Sequence, residues 1–183
     1  MGISGKVFTL ISMLMLVAIP LQDGRAGTAE EIDLKVDEAL ARFKKDSAVA
    51  ESVLAASKGV LVFPNVIKAG IGVGGEIGEG AMRIDGETVE YYTTMAASIG
   101  FQLGAQSKAV FLVFMQDEAL ERFRASSGWK AGVDGSVALI NIGAAASFDT
   151  TQIQEPIVGF VMTNAGLMYN ATLEGSKYTK VVR

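Results

Sequence analysis

Cysteine and histidine are both absent from this chain of 183 residues. The lack of cysteine excludes disulfides, thiolate chemistry, cysteine-based zinc sites and a lipoprotein anchor on an N-terminal cysteine. The lack of histidine removes the commonest general base at neutral pH, the usual serine and cysteine triads and most transition-metal sites. We therefore expect a noncatalytic protein that holds no metal and no cofactor.

Cations are also fewer than anions, because 16 lysines and arginines face 20 aspartates and glutamates, for a formal net charge of −4. Nucleic-acid-binding domains normally present a basic face to the phosphates, so we expect no nucleic-acid partner. The same balance argues against unspecific attraction to anionic membranes. Lipid contact would have to come from a local cation cluster or an apolar surface.

A long apolar run occurs near the N-terminus, from Val7 to Leu21, directly after Lys6. Small residues that could precede a cleavage site follow it as two pairs, Gly24 with Ala26 and Gly27 with Ala29. This pattern is typical of a secretory signal peptide, and the run is shorter than the roughly 20 residues of a spanning helix. We predict a signal peptide over residues 1–26 and an exported, periplasmic or envelope-associated domain over 27–183. The alternative is an uncleaved membrane anchor.

The first part of that domain, residues 29–57, reads as one or two helices. Thr28 and Glu31 match a capping box, and apolar residues then recur at helical spacing at Ile32, Val36, Leu40 and Phe43. A second short helix is predicted from about residue 47 to 57. Residues 58–183 instead show short apolar or alternating runs broken by glycine, asparagine and aspartate, which indicate strands, with Pro64 expected to end the first one.

The fold class that follows is α+β. We expect the N-terminal helices to pack on a curved, mostly antiparallel sheet or partial barrel. One further helix is predicted near residues 117–126, with Leu120 and Phe123 facing inward. The apolar run "AVFLVFM" predicts a strand that is covered on both faces.

The stretch "KAGIGVGGEIGEGAMR", residues 68–83, carries six glycines. A dinucleotide fingerprint matches literally at Gly70, Gly72 and Gly75, but it requires a helix to begin at the third glycine. Gly78 and Gly80 follow at once, and each costs about 1 kcal/mol inside a helix. The match therefore does not indicate a cofactor site.

A period of two explains these glycines better. Gly70, Gly72, Gly74, Gly78 and Gly80 fall on one face of a strand, and Ile67, Ala69, Ile71, Val73, Ile77 and Ala81 fall on the other. A similar bare face, with Gly100 and Gly104, recurs in "SIGFQLGAQ". Such faces mark tight bending or the close approach of another group. Two interpretations stay open: a tight interior or corner of the sheet, or a platform for a ligand or helix, including the N-terminal helix.

Several spaced blocks resemble the SYLF domain, also known as the Ysc84 actin-binding domain. They are "SKGVLVFPNVIKAGIGVGGEIGEGAMR", "SIGFQLGAQSKAVFLVFM" followed by "ALERF", "SSGWKAGVDGSVAL" and "GLMYNATLEGSKYTKV", and the resemblance extends from about Ala50 to Val181. The resemblance implies a noncatalytic domain that binds phospholipids, with actin binding in fungal members. The signal-like N-terminus and the segment "YYTTMAAS" resemble the bacterial exported branch, which argues against actin as the partner here.

Three groups of cations are candidates for a lipid headgroup, since phosphate prefers lysine or arginine donors. The first is Lys58, Lys68 and Arg83, near the glycine-rich strand. The second is the C-terminal pair Lys177 and Lys180, with Arg183, and the third is Lys35, Arg42, Lys44 and Lys45 on the first helix. The alternative for the first group is ordinary solvated or ion-paired side chains. We predict a phospholipid-binding, envelope-associated module, the alternative being a structural or protein-interaction module of the envelope.

Overall fold

The computed structural model describes residues 26–100, 106–140, 154–164, 166–167 and 172–183. Within these ranges the helices are α1 (Ala29–Asp46), α2 (Ala50–Ala56) and α3 (Asp117–Ala125). The strands there are β1 (Gly59–Ile84), β2 (Glu87–Gly100), β3 (Gln106–Phe114), β4 (Trp129–Lys130), β5 (Ala138–Leu139), β6 (Ile157–Thr163), β7 (Gly166–Leu167) and β8 (Lys177–Val181). They form one curled sheet in the order β4-β8-β2-β1-β3-β6-β5, with β7 beside β6. Among these strands only β5 and β6 pair in parallel, and the predicted α+β class is confirmed.

Helix α1 begins where the sequence predicts, because the capping box forms. The Thr28 hydroxyl accepts a hydrogen bond from the backbone N–H of Glu31 at 3.2 Å, and the Glu31 carboxylate accepts one from the Thr28 N–H at 3.1 Å. Its buried side chains are Ile32, Val36, Ala39 and Phe43. They pack on the sheet. Helix α2 begins at Ala50, somewhat later than predicted.

Strand β1 continues through Pro64, so the prediction that this proline ends the strand is wrong. The first part of β1 pairs with β3 up to Phe63, and the pairing resumes at Val66 after a register shift. Pro64 lies inside that irregularity, where its missing N–H removes no ladder hydrogen bond. The second part of β1, from Gly72 onward, pairs with β2 instead.

The two parts of β1 also pack against each other face to face, and glycine makes this possible. A Cβ atom at Gly80 would lie 2.1 Å from the Val62 carbonyl oxygen, and one at Gly78 would lie 2.9 Å from a Val66 methyl group. Two backbones approach this closely only where one of them lacks side chains. The interpretation as a tight interior is therefore confirmed at these two glycines.

The other predicted structural glycines are less fully described. The backbones of Gly70, Gly72 and Gly100 lie in β1 and β2, and Gly74 is half-buried. Gly104 lies outside the described residues. The interpretation that the N-terminal helix covers the glycine face is wrong at Gly78 and Gly80, because α1 packs on the opposite face of β1, where Ala81 belongs to the core beneath α1.

Two hydrophobic cores lie on opposite faces of the sheet and share strands. The core beneath α1 and α2 contains alternate residues of β3 and β6, including Phe111 and Phe160. The other core contains the intervening residues of β3, such as Leu112, together with α3. Strand β3 is thus covered on both faces, as predicted. Helix α3 is also confirmed, with Leu120 and Phe123 buried.

Candidate functional site

Two cations of the first predicted group lie around one cavity. Lys58 follows α2 and Arg83 lies near the end of β1, and both line a cavity of about 450 Å³. Lys44 of α1, from the third predicted group, lines it as well, as do the apolar side chains of Leu40 and Leu54. The acidic residues Glu51 and Asp85 share the lining, which offsets much of the positive charge.

The main role of Arg83 is to link the sheet to α1 through ion pairs. Its guanidinium donates to the Asp37 carboxylate at 2.7 Å and lies 3.7 Å from Asp33, and its side chain is only 12% exposed. Thr88 and Tyr91 of β2 donate to the same Asp33 carboxylate at 2.7 and 2.9 Å. Arg83 Nε is buried and has no hydrogen-bond partner among the described residues. A ligand could use that donor, but the guanidinium charge is already balanced.

Lys68 lies apart from the other members of its group. It lies 3.9 Å from the Glu76 carboxylate, which pairs more closely with Lys108 at 2.7 Å. Lys58 also has an acidic neighbour, Asp117, at 3.5 Å on the open surface. The structure therefore brings Lys58 and Arg83 together and separates Lys68 from them.

The C-terminal pair is divided between two faces of β8, because residues three apart on a strand point in opposite directions. Lys180 contacts the Glu90 carboxylate at 2.8 Å, which Arg124 of α3 also contacts at 2.9 Å. Burial by itself would raise the pKa of Glu90, but hydrogen bonds from Arg124, Lys180 and Tyr92 outweigh it and lower the pKa to about 2. Lys180 thus belongs to a structural ion cluster.

Lys177 lies on the other face, in a row of exposed side chains that crosses four strands. Ile77 of β1 pairs with Met95 of β2, Met95 pairs with Lys177 of β8, and Lys177 pairs with Lys130 of β4. Directly paired residues point to the same side of a sheet. We call Ile77, Met95, Lys177 and Lys130 the exposed row.

The exposed row combines apolar surface with two exposed lysine side chains. Ile77 is 55% exposed and Met95 is 59% exposed, and Val73, farther along the same face of β1, is 75% exposed. Lys130 and Lys177 are exposed, and in the described part of the chain neither ammonium group lies within 4.0 Å of a carboxylate. The Asp134 carboxylate is nevertheless close by, because it accepts a hydrogen bond from the backbone N–H of Lys130 at 2.7 Å. The row lies on the side of the sheet that carries α1 but is not covered by it.

Sequence reasoning found one member of the exposed row, Lys177, as a candidate and missed Lys130 and Met95 in that role. Lys130 belongs to a strand of two residues, too short for any periodic signal. Ile77 was placed correctly on the apolar face of β1, but the pattern did not show that this face is open to solvent here.

Among the described residues, the remaining candidate cations form no second surface that is both apolar and cationic. Lys35 and Arg42 line a shallow cavity of about 250 Å³ near Pro64. The described ranges contain no group of three or more acidic residues placed to hold a metal ion. No helix within them is long and apolar enough to cross a membrane.

The described chain is thus an α+β domain with two buried cores, and the exposed row gives it an open surface that is both apolar and cationic. A family model, Ysc84, described as "Las17-binding protein actin regulator", matches residues 95–181. Over those residues the chain is similar to this family, whose domain is also known as SYLF. No curated protein matches the chain. The matched part includes Met95, Lys130 and Lys177 of the exposed row and excludes α1, α2 and β1.

Proposed function

We propose that this protein is a noncatalytic phospholipid-binding module of the cell envelope. The observation that carries the proposal is the exposed row, which sets the apolar side chains of Ile77 and Met95 beside the ammonium groups of Lys177 and Lys130. The family description names Las17 binding and actin regulation. For an exported chain we expect a lipid partner rather than actin.

The chemistry of the row suits the boundary between acyl chains and headgroups. Exposed isoleucine, methionine and valine can enter the outer acyl region, with a gain of roughly 25 cal/mol per Å² of apolar surface removed from water. Each lysine near an anionic membrane surface contributes about 1 kcal/mol more. Lysine stems also extend along apolar surface while the ammonium reaches the phosphates. Local surface, rather than net charge, would thus produce the attraction, because the chain as a whole is acidic.

Vesicle cosedimentation tests this proposal. The purified exported protein is mixed with vesicles of phosphatidylcholine alone or with added phosphatidylglycerol, at low and raised salt. We expect binding that requires the anionic lipid. The double variant Lys130→Gln and Lys177→Gln should weaken it several-fold, and the double variant Ile77→Thr and Met95→Thr should weaken it as well, while all thermal melts stay close to that of the parent.

Two controls separate the exposed row from other cations. Lys35→Gln with Lys45→Gln makes the same change of charge on α1 and should leave binding unchanged. Lys44→Gln with Lys58→Gln tests the cavity beside Arg83. Loss of binding only in that cavity variant would move the lipid site to the cavity and contradict the assignment to the row.

The alternative function is a protein-interaction module without a lipid ligand. Absence of cosedimentation on both vesicle compositions, with a stoichiometric protein copurifying from the envelope, would replace the lipid proposal by this alternative. Arg83 is not a suitable residue for the test, because its replacement would also remove its ion pairs with Asp33 and Asp37.

A further inference from the structure

The two ends of the described chain meet at one carboxylate, that of Glu79 in β1. The backbone nitrogen of Gly27 donates to Glu79 Oε2 at 2.8 Å. The guanidinium of Arg183 pairs with the other oxygen, Oε1. Glu79 therefore binds a nitrogen from the N-terminal side and a cation from the C-terminal side.

The contact with Gly27 is close, and a side chain there would crowd it. A Cβ atom at Gly27 would lie 3.2 Å from an Ile32 side-chain carbon and 3.3 Å from Glu79 Oε2. Contacts this short would require the carboxylate or the Ile32 side chain to shift by a few tenths of an ångström. Gly27 is half-buried, whereas Ala26 before it is exposed.

The sequence offers two cleavage sites, and only one preserves this arrangement. Cleavage after Ala29 would remove Gly27 and also Thr28, whose hydroxyl and carbonyl oxygens accept from the N–H groups of Glu31 and Ile32. Helix α1 would then begin without its cap. Cleavage after Ala26 leaves both residues in place, with Gly27 as the first residue.

We propose that the Ala26–Gly27 bond is the processing site and that Glu79 binds the α-ammonium group which cleavage creates. A signal-peptidase-type endopeptidase adds one water across the bond, so Ala26 leaves with a carboxylate and the Gly27 nitrogen becomes an ammonium group. The nitrogen that donates one neutral N–H to Glu79 in the uncleaved chain then carries a full positive charge. Charge-assisted hydrogen bonds are stronger than those between neutral groups. Processing therefore strengthens the contact between the new N-terminus and Glu79 of the sheet. This inference does not depend on lipid binding.

The first experiment locates the cleavage. The full chain is expressed in a bacterial host that exports it, and the N-terminal residue of the product is determined by mass spectrometry. We expect Gly27. The variant Ala26→Leu should accumulate the uncleaved precursor, whereas the matched variant Ala29→Leu should be processed normally. A product that begins at Glu30 or retains Met1, or normal processing of Ala26→Leu, would overturn the proposal.

The second experiment tests the role of Glu79 in the processed protein. An amine-selective ester is applied near neutral pH, and labelling of the N-terminal peptide is followed by mass spectrometry, with the peptide that contains exposed Lys45 as internal reference. Labelling of Gly27 should accelerate several-fold in Glu79→Gln but little in Arg183→Gln, which removes only the other partner of the carboxylate. Both variants are compared only where Trp129 fluorescence matches the parent. Equal rates in the parent and Glu79→Gln would contradict binding of the terminus by Glu79.

Discussion

Glycines in the same strand have different reasons to be glycine. Gly80 faces the first part of β1, where the Val62 carbonyl and the Phe63 ring occupy the space that a side chain would need. Gly75 lies on the exposed side, and the nearest atom to a Cβ there would be the Ala96 carbonyl oxygen at an ordinary 3.7 Å. Only the first of these two glycines is required by packing.

Gly80→Ala should therefore destabilise the protein strongly, because the backbone of Val62 cannot move away as the end of a flexible side chain could. Overpacking of this kind costs about 1–3 kcal/mol and sometimes more, and we expect at least about 2 kcal/mol from urea melts. Gly75→Ala should be neutral or stabilise by a few tenths of a kcal/mol, since alanine loses less backbone entropy on folding. Equal effects of the two changes would contradict the face-to-face packing within β1.

At the scale of elements, α1 depends on its N-terminal cap. Thr28→Ala removes the hydroxyl that accepts from Glu31 and should lower the free energy of unfolding by about 1 kcal/mol. Thr28→Ser keeps that acceptor and should stay close to the parent. Chemical denaturation followed by far-UV circular dichroism measures both, and a loss in the serine variant as large as in the alanine variant would show that the hydroxyl is not what matters.

Glu90 joins three elements, because a residue of β2 contacts Arg124 of α3 and Lys180 of β8. Its pKa falls from 4.5 to about 2 in the folded protein. Since the folded pKa is depressed, the stabilisation is complete above about pH 4.5 and disappears as the pH falls toward 2. At about 1.36 kcal/mol per pKa unit, the stabilisation at neutral pH is ~3 kcal/mol.

Glu90→Gln should accordingly be less stable than the parent at pH 7, and the difference should shrink as the pH is lowered from 4.5 toward 2. Urea melts across this range measure it. The matched control is Glu118→Gln, whose partner Arg122 is 70% exposed and lies at 3.7 Å, so the change should have no measurable effect. A difference for Glu90→Gln that does not vary with pH would contradict the ion cluster.

At the scale of the whole molecule, the two cores share strands β1, β3 and β6. Phe111 of β3 packs under α1 while its neighbour Leu112 packs toward α3. If these strands separated from either core, the apolar side chains of both cores would be exposed to solvent. We therefore expect the described domain to unfold as one cooperative unit.

The single tryptophan allows a direct test of that cooperativity. Trp129 is buried in the core beside α3, so its fluorescence reports that core, while helical circular dichroism reports mainly α1 beneath the other. The two signals should give coincident urea transitions. Phe111→Ala and Leu112→Ala should each lower the free energy of unfolding by roughly 2–5 kcal/mol. Each should therefore shift the urea midpoints of both signals together. Separate midpoints for the two probes would show independent cores.

The sequence by itself determined the features that depend on neighbouring residues. The capping box at Thr28, the apolar stripe of α1, the position of α3 and the strand character of the glycine-rich stretch all follow from local chemistry and periodicity. Period two also separated the bare face of β1 from its apolar face, as Gly78, Gly80 and Ala81 confirm. It could not assign those faces to solvent or interior.

Only the tertiary structure decided which distant residues meet. Gly80 can lie against Val62 because β1 continues past Pro64, where local rules predicted an end. The exposed row depends on the registers of β1, β2, β8 and β4, whose members lie far apart in the chain. Arg83 finds Asp33 and Asp37, and Lys180 finds Glu90, for the same reason. Periodicity gives the direction of a side chain relative to its own strand, whereas pairing register and sheet curvature are set by contacts between segments distant in sequence.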